Sequence, residues 1–239
     1  MRALPALLLA TAMALPAAAQ DLTEAQVKAL VLETIRENPE IVMEAVGILQ
    51  KRDAEAAEAQ ARAALGESRD LLERDPNAPV AGNPEGDVTV VEFFDYNCPY
   101  CRRAAAQVAD VIARDGGVRV VYREWPILGE GSVFASRAAL AARAQGGYEA
   151  LHEAMMAAEG RLDEASVMAI AAESGLDVER LRADMNAPEV QAHIDASMAL
   201  AEQLGFTGTP SFVIGDTRAP GLIDADQMIE AIEAARDGG

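Results

Sequence analysis

The sequence predicts an α/β domain whose strands are interrupted by a run of helices, preceded by a separate helical region. Two short apolar segments rich in β-branched residues, 88–94 and 118–122, flank one helical segment. That order is typical of a βαβ unit with two parallel, buried strands. Helical patterns alone fill residues 130–204 before strand signals return near residue 211. Residues 21–65 look helical throughout.

The first twenty residues have the order of a secretory signal peptide. Arg2 gives a positive start, residues 3–15 are almost wholly apolar, and three alanines at 17–19 form a small-residue cleavage site. The apolar stretch is shorter than the ~20 residues that a membrane-spanning helix needs, although an uncleaved anchor is an alternative. We therefore expect a signal peptide at residues 1–19 and export, with the Gram-negative periplasm as the location.

The composition is strongly acidic. The formal net charge is −19, and cleavage after Ala19 would make it −20 because Arg2 is the only charged residue removed. Nucleic acids and anionic membrane surfaces attract basic proteins. The charge therefore argues against both as partners.

The predicted N-terminal helical region, 20–65, carries apolar stripes with little else to cover them. Thr23 and Gln26 have the spacing of a capping box, and Asn38-Pro39 is typical of a second helix start. The apolar residues at helical spacing are Val27, Leu30, Val31, Ile35, Ile41, Val42, Val46 and Leu49. Residues 51–64 are mostly Ala, Glu, Arg and Gln, which offer little surface for packing onto the chain's own domain. We expect this region to pack against other copies of the chain.

Turn-forming residues mark a linker at 66–86, which includes Gly66, and the main domain is expected at 87–239. Its strands are expected at 88–94, 118–122, 211–214 and 219–222, with a last amphipathic helix at about 225–235. The helical insertion should occupy about 129–205.

The chain has two cysteines, Cys98 and Cys101. A disulfide between them closes almost no loop and so adds little stability, which points to chemistry instead. Zinc is an alternative for a lone C-x-x-C, but structural zinc takes four ligands. Only His152 and His193 could contribute, and both fall in predicted helices as ordinary core or surface residues. We expect no metal and no cofactor.

The position of Cys98 favours a redox role. It follows a buried strand and opens a helix, where backbone N–H groups and the helix dipole favour the thiolate. Pro99 suits the first helical turn. Cys101 lies one turn further on and should be more buried. Cys98 is therefore the predicted nucleophile, and Cys101 the thiol that resolves a mixed disulfide.

Two segments resemble the signatures of the DsbA-like thioredoxin-fold family. Residues 90–101, VVEFFDYNCPYC, are similar to its active-site segment, and residues 206–212, FTGTPSF, are similar to its cis-proline loop. Residues 125–128, WPIL, and the helical insertion also match. The resemblance covers roughly residues 80–237 and implies a thioredoxin fold and thiol–disulfide exchange.

The resemblance also implies roles for single residues. Cys98 and Cys101 match the catalytic pair, and Pro210 matches the cis-proline opposite it. Thr209, before that proline, would offer its backbone to an extended substrate, and Pro99 with Tyr100 would border the substrate. Glu92 matches a buried acid that modulates proton transfer, although a strand-edge glutamate that reaches solvent is the alternative.

The dipeptide between the cysteines departs from DsbA itself, which has a histidine there. Tyr100 adds no positive charge, so the disulfide should be less oxidising, at roughly −200 to −120 mV. The leader resembles the oligomeric ScsC-like subgroup and implies a homotrimer formed through residues 21–65.

The resulting hypothesis is a periplasmic disulfide isomerase or reductase that acts on misoxidised exported proteins and is kept reduced by a membrane redox partner. The Thr209 before the cis-proline also resembles the isomerase side of the family. The alternatives are a DsbA-like dithiol oxidase and, in another class, a copper-binding thiol protein, because two close thiolates suit Cu(I).

Overall fold

The computed structural model describes residues 22–238, so the predicted signal peptide lies outside the described residues. The described chain divides into two compact units, residues 22–54 and residues 55–238. No helix in the described range is long and apolar enough to cross a membrane.

The first unit contains helix α1 (Glu24–Glu37) and the first part of helix α2 (Glu40–Arg74). The predicted capping box is present, with the Thr23 hydroxyl accepting from the Gln26 N–H at 3.4 Å. Asn38 ends α1 instead of starting α2, because its side-chain amide donates back to the Thr34 carbonyl at 3.1 Å. No residue of 22–54 is buried. The predicted apolar stripes are therefore uncovered in the single chain.

The second unit is built on a five-stranded sheet in the order β1-β3-β2-β4-β5. Its strands are β1 (Val80–Gly82), β2 (Val88–Phe94), β3 (Val118–Glu124), β4 (Ser211–Ile214) and β5 (Thr217–Pro220). Strands β2 and β3 are parallel, as predicted, and the other neighbours are antiparallel. Strand β1 was not predicted, and β5 lies two residues earlier than expected.

Helices cover both faces of this sheet. They are the second part of α2, α3 (Pro99–Arg114), α4 (Glu130–Ala142), α5 (Tyr148–Ala157), α6 (Glu164–Glu173), α7 (Val178–Asp184), α8 (Pro188–Gln203) and α9 (Ala225–Asp237), with a short 3-10 turn at Arg143–Gln145. Helices α4 to α8 form the predicted insertion between β3 and β4. The fold is a thioredoxin-like fold with a helical insertion.

The predicted linker at 66–86 is wrong for residues 66–74, because α2 continues as a helix through Gly66 to Arg74. Leu65 and Leu72, two turns apart on one face, are buried against the sheet in a cluster that includes Phe93 and Trp125. Burying two leucines contributes more than the ~1 kcal/mol that a glycine costs inside a helix.

The expectation that residues 51–64 would not pack back was also wrong for their second half. Ala61 is buried, and the Glu58 carboxylate pairs with Arg218 at 3.1 Å. The α2 end is fixed too, since the buried Arg123 pairs with Asp75 at 2.7 Å. The second unit therefore begins at Glu55, well before the predicted linker.

Candidate active site

The segment between β2 and α3 is organised by Asp95. Its buried carboxylate accepts hydrogen bonds from the N–H groups of Asn97 at 2.8 Å, Ile127 at 2.8 Å and Leu128 at 2.9 Å. Its carbonyl accepts from the Cys98 N–H at 3.0 Å. Asp95 therefore ties the residues before Cys98 to the loop after β3.

Cys98 is the N-cap residue of α3, as predicted, and its side chain makes no capping hydrogen bond. It keeps 5% of its surface exposed. The pKa of the Cys98 thiol is lowered to about 5, chiefly by a hydrogen bond from the Cys101 thiol. Hydrogen bonds with the Thr209 side chain and with the N–H groups of Cys101 and Tyr100 lower it further, and burial opposes them. Cys98 is therefore largely thiolate at neutral pH.

Cys101 lies in the first turn of α3 and is fully buried. Burial raises the pKa of its thiol far above the usual range, and the hydrogen bond to Cys98 and the nearby Glu92 raise it further. The Asp95 N–H donates to its sulfur at 3.5 Å. Both cysteines are free thiols. The pair is strongly asymmetric, because the Cys98 sulfur is a thiolate that keeps 5% exposure whereas the Cys101 thiol is fully buried.

The loop before β4 faces this pair. The Thr209–Pro210 peptide bond is cis, which confirms the prediction. The Cys98 thiol lies 3.3 Å from the Thr209 carbonyl oxygen. Pro210 is buried and Thr209 is half-buried. Segments 111 residues apart in the sequence thus meet at the Cys98 sulfur.

Glu92 lies on the central strand β2, paired with Tyr122 on one side and Phe212 on the other. It is buried, so the alternative of a solvent-reaching edge residue is wrong. Neither carboxylate oxygen has a hydrogen-bond partner. Burial raises the pKa of Glu92 to about 8, so the carboxyl group carries a proton at neutral pH.

Pro99 and Tyr100 are exposed at the start of α3. The Tyr100 side chain keeps 55% of its surface accessible, and the Arg103 guanidinium lies 5.8 Å from its ring centroid. Both residues border the reactive sulfur along the chain, and both could contact a bound polypeptide.

Two further residues at this site were not predicted. Asn97 donates its side-chain amide to the Leu162 carbonyl at 3.1 Å and to the Ser132 hydroxyl at 3.2 Å. Arg102 donates to the carbonyls of Tyr96 at 3.1 Å and Ala158 at 2.8 Å. An asparagine in the short segment between a strand and a helix indicates a turn, but no local signal identifies the distant partners of Asn97 and Arg102.

A second buried polar cluster centres on Glu124 at the end of β3. Its carboxylate accepts from the hydroxyls of Tyr96 at 3.1 Å and Tyr148 at 2.9 Å. Tyr96 is also 3.0 Å from the His152 Nδ1 atom. Burial raises the pKa of Glu124 to about 8 and lowers that of His152 to about 3. Of the two expected positions for His152, surface or core, the structure shows the core.

His193 is also buried, and its Nε2 atom accepts from the Glu124 N–H at 3.2 Å. Neither histidine is near a set of metal-binding side chains. In residues 22–238, no group of three or more His, Cys, Asp or Glu residues could hold a metal ion. The site brings together two sulfurs, a buried acid and the cis Thr209–Pro210 segment.

Two family models match the chain. The DSBA-like thioredoxin domain matches residues 89–233, and the copper resistance protein ScsC N-terminal domain matches residues 24–56. The first match covers the whole redox site and the insertion. The second covers the unit whose apolar stripes are exposed.

Solved structures agree with these matches. A thioredoxin-like oxidoreductase from Silicibacter pomeroyi is 62% identical, with a TM-score of 0.71, over 72% of this chain and 99% of that one. Proteus mirabilis ScsC in a transitional conformation is 32% identical, with a TM-score of 0.68, over 91% of this chain and 98% of that one.

Curated relatives match over part of their length. The Na(+)/H(+) antiporter NhaA of Herminiimonas arsenicoxydans is 32% identical over 160 residues, which are 66% of this chain and 26% of the antiporter. The chain thus spans about a quarter of the length of the curated relatives it matches.

Proposed function

This chain belongs to the DsbA-like thioredoxin family of thiol–disulfide oxidoreductases, and we propose that it works in its reduced form as a periplasmic disulfide isomerase and reductase. The observation that carries this proposal is the asymmetry of the cysteine pair. Cys98 has a lowered pKa and some exposure, whereas Cys101 is buried with a raised pKa. Export is supported by the signal-like order of the first twenty residues.

The proposed reaction begins when the Cys98 thiolate attacks one sulfur of a substrate disulfide. A new S–S bond joins Cys98 to the substrate, the substrate's own S–S bond breaks, and its other sulfur leaves as a thiolate. In isomerisation, that freed thiolate or another substrate thiolate attacks the mixed disulfide and restores the Cys98 thiolate. No net electrons are exchanged with the protein.

In reduction, Cys101 resolves the mixed disulfide. It loses its proton, attacks the Cys98 sulfur, and releases the substrate as a second thiolate. The protein is then oxidised by two electrons, with a Cys98–Cys101 disulfide, and a membrane redox partner must reduce it again. We propose that the ionised form of Glu92 accepts the Cys101 proton. Burial gives Glu92 a pKa of about 8, so a minor fraction is carboxylate at neutral pH, and in that form it interacts electrostatically with Cys101.

Substrate binding is assigned to the rim around Cys98. Thr209 would pair its backbone with an extended substrate segment, next to the buried Pro210. Pro99 and the exposed Tyr100 would contact the same segment from the start of α3. These contacts use backbone and apolar surface, which suits unfolded or misoxidised exported proteins of many sequences.

The first unit supports isomerisation over oxidation. Its apolar side chains remain exposed in the single chain, for example Leu30 at 54% and Val31 at 52%. Exposed stripes of this size mark an interface, and we propose a homotrimer formed through the first unit. Several reactive sites on one assembly could hold a misfolded chain while its disulfides are exchanged.

The activity is tested with a substrate whose disulfides have been scrambled. We expect the wild-type protein to restore its native pairing in a glutathione buffer. Cys98→Ser should be inactive, and Cys101→Ser should accumulate mixed disulfides that are detectable by mass spectrometry. Faster alkylation of Cys101 than of Cys98 in the reduced protein would contradict the assigned roles.

The oligomer is tested by light scattering on the full chain. Val31→Glu should convert an oligomer into smaller species, because a charge would be buried at the interface. Glu33→Gln, on the same helix, is the matched control and should leave the mass unchanged. A monomeric wild-type protein would refute the oligomer and favour the oxidase.

The second candidate function is that of a dithiol oxidase. A low Cys98 pKa stabilises the reduced form and so makes the disulfide more oxidising, and the pKa of about 5 supports this reading. Trapping thiols in intact cells separates the two functions. A mostly reduced pair supports the isomerase, and a mostly oxidised pair supports the oxidase.

Copper binding is the candidate from another class. The match of residues 24–56 to the N-terminal domain of a copper resistance protein motivates it, and two close thiolates suit Cu(I). A Cu(I) competition titration of the reduced protein and of Cys98→Ser tests it. Tight binding without any disulfide reduction would favour this function over catalysis.

A further inference from the structure

The amide of Asn97 pairs with the backbone of Leu162 in both directions. Its Nδ2 donates to the Leu162 carbonyl at 3.1 Å, and its Oδ1 accepts from the Leu162 N–H at 2.7 Å. Leu162 belongs to the α5–α6 loop, residues 158–163, which is part of the helical insertion. The residue directly before the reactive cysteine is thus held by a segment that lies 65 positions further along the chain.

The same loop is held a second time from the other side of the cysteine pair. Arg102, which follows Cys101, donates to the Ala158 carbonyl at 2.8 Å and to the Tyr96 carbonyl at 3.1 Å. Residues on both flanks of the C-x-x-C turn therefore bind one loop. Leu162 is itself buried in the main core, so it is a firm anchor for these bonds.

Cys98 depends on this kind of external support. As the N-cap of α3 it forms no capping hydrogen bond through its side chain. Its sulfur contacts Thr209 and Cys101, and the backbone of residues 95–98 sets the direction from which it approaches the first turn of α3. Asp95 holds the Asn97 N–H from one side, and Leu162 holds the Asn97 side chain from the other.

We propose that Asn97 is a positioning residue through which the α5–α6 loop of the helical insertion holds Cys98 in its reactive geometry. The proposal rests on the proposed function, because it assumes that Cys98 is the attacking thiolate. Asn97 orients the backbone that carries the sulfur and keeps the thiolate against the helix N-terminus, where the dipole stabilises it.

The pairing can be disturbed from either side. Asn97→Ala removes both hydrogen bonds to Leu162 by deleting the side-chain amide next to Cys98. Gly131→Ala disturbs the pairing from the insertion, because an added Cβ would overlap the Leu162 carbonyl oxygen and lie 3.3 Å from the Asn97 Nδ2 atom. Asn83→Ala is the matched control, since Asn83 is also half-buried and also bonds to a distant carbonyl, that of Gly116 at 2.9 Å.

The measurement is the alkylation rate of Cys98 against pH in the reduced full-length protein, with the melting temperature of each variant beside it. We expect Asn97→Ala and Gly131→Ala to react about twofold to fivefold more slowly than wild type near pH 5. A weaker helix-dipole contribution would raise the thiol pKa by about 0.5 to 1, and the wild-type thiol is about half ionised at its pKa of about 5. Near pH 9, where the thiol is ionised in all variants, the rates should agree. The double variant should be no slower than the slower single variant.

Rates for Asn97→Ala that match those of Asn83→Ala at both pH values would overturn the proposal. So would an equal slowing at both pH values, because that would indicate altered access to the sulfur and not a less stable thiolate. Failure of Gly131→Ala to fold leaves Asn97→Ala as a sufficient test. A wild-type Cys98 without low-pH reactivity would instead refute the assigned nucleophile, so the two failures are distinguishable.

Discussion

Replacing Glu92 with glutamine removes a fully buried acid that has no hydrogen-bond partner on either carboxylate oxygen. Burial raises the pKa of Glu92 from 4.5 to about 8 in the folded protein. Because this pKa is higher in the folded than in the unfolded protein, folding favours the protonated form of Glu92. The free energy of unfolding is therefore highest below about pH 4.5 and falls as the pH rises through about 8. The wild-type protein should therefore lose stability relative to Glu92→Gln as the pH rises.

The size of this effect follows from the two pKa values. Keeping the carboxyl group protonated at pH 7 costs about 3 kcal/mol, since each pH unit above the unfolded value adds about 1.4 kcal/mol. At pH 5 the same cost is about 1 kcal/mol. The glutamine amide also lacks partners in this environment, which adds a penalty of similar size at every pH. The difference in stability between variant and wild type should therefore change by about 2.5 kcal/mol between pH 5 and pH 7.

Urea unfolding of both proteins at several pH values measures this difference. Glu85→Gln is the matched control, because it removes an exposed carboxylate from the turn before β2. A difference between wild type and Glu92→Gln that stays constant from pH 5 to pH 8 would refute the buried, protonated carboxyl group. Slower release of mixed disulfides by Glu92→Gln would add support for its role in exchanging the Cys101 proton.

Three further predictions address other parts of the structure. Leu72→Ala should cost about 2–5 kcal/mol of unfolding free energy by leaving a cavity under α2, whereas Leu71→Ala, 44% exposed, should cost less than about 0.5 kcal/mol in the same urea titration. The pKa of Cys98 is lowered to about 5 in the folded protein. Ionisation of Cys98 therefore stabilises the folded, reduced protein, fully above the pKa of the unfolded thiol, and this stabilisation is lost as the pH falls through about 5. Denaturation of reduced wild type and Cys98→Ser should thus diverge as the pH rises, and a constant gap would contradict this. Asp95→Asn turns an amide donor toward backbone N–H groups and should cost about 2–3 kcal/mol, and a melting temperature equal to that of wild type would exclude the role assigned to this carboxylate.

The redox pair and the central strands were predictable because their signals are local. A short β-branched run such as 88–94 favours a buried strand, and the Cys98-Pro99 step after it favours a helix start, so both signals can be read from a few neighbouring residues. The loop at 209–210 was predictable only through the resemblance to a family. Taken alone, a Thr-Pro step indicates a turn and says nothing about which segment it faces.

The remaining features depend on partners that carry no sequence signal. Gly66 indicates the end of a helix, yet α2 continues because Leu65 and Leu72 pack on the sheet. Strand β1 is three residues long and exists because it pairs with β3. Asn97 binds the backbone of Leu162, and any residue would supply the same N–H and C=O groups. These contacts are long-range, so no periodicity in a short window predicts them.

Two buried acids with similar pKa values show why the hydrogen-bond environment decides their roles. Burial raises the pKa of both Glu92 and Glu124 to about 8. Glu124 accepts hydrogen bonds from two tyrosine hydroxyls, so a change in its protonation would disturb a packed polar cluster. Glu92 accepts none and acts electrostatically on Cys101. A proton can therefore be exchanged at Glu92 without breaking any hydrogen bond, and of the two acids it is the one suited to serve the buried thiol.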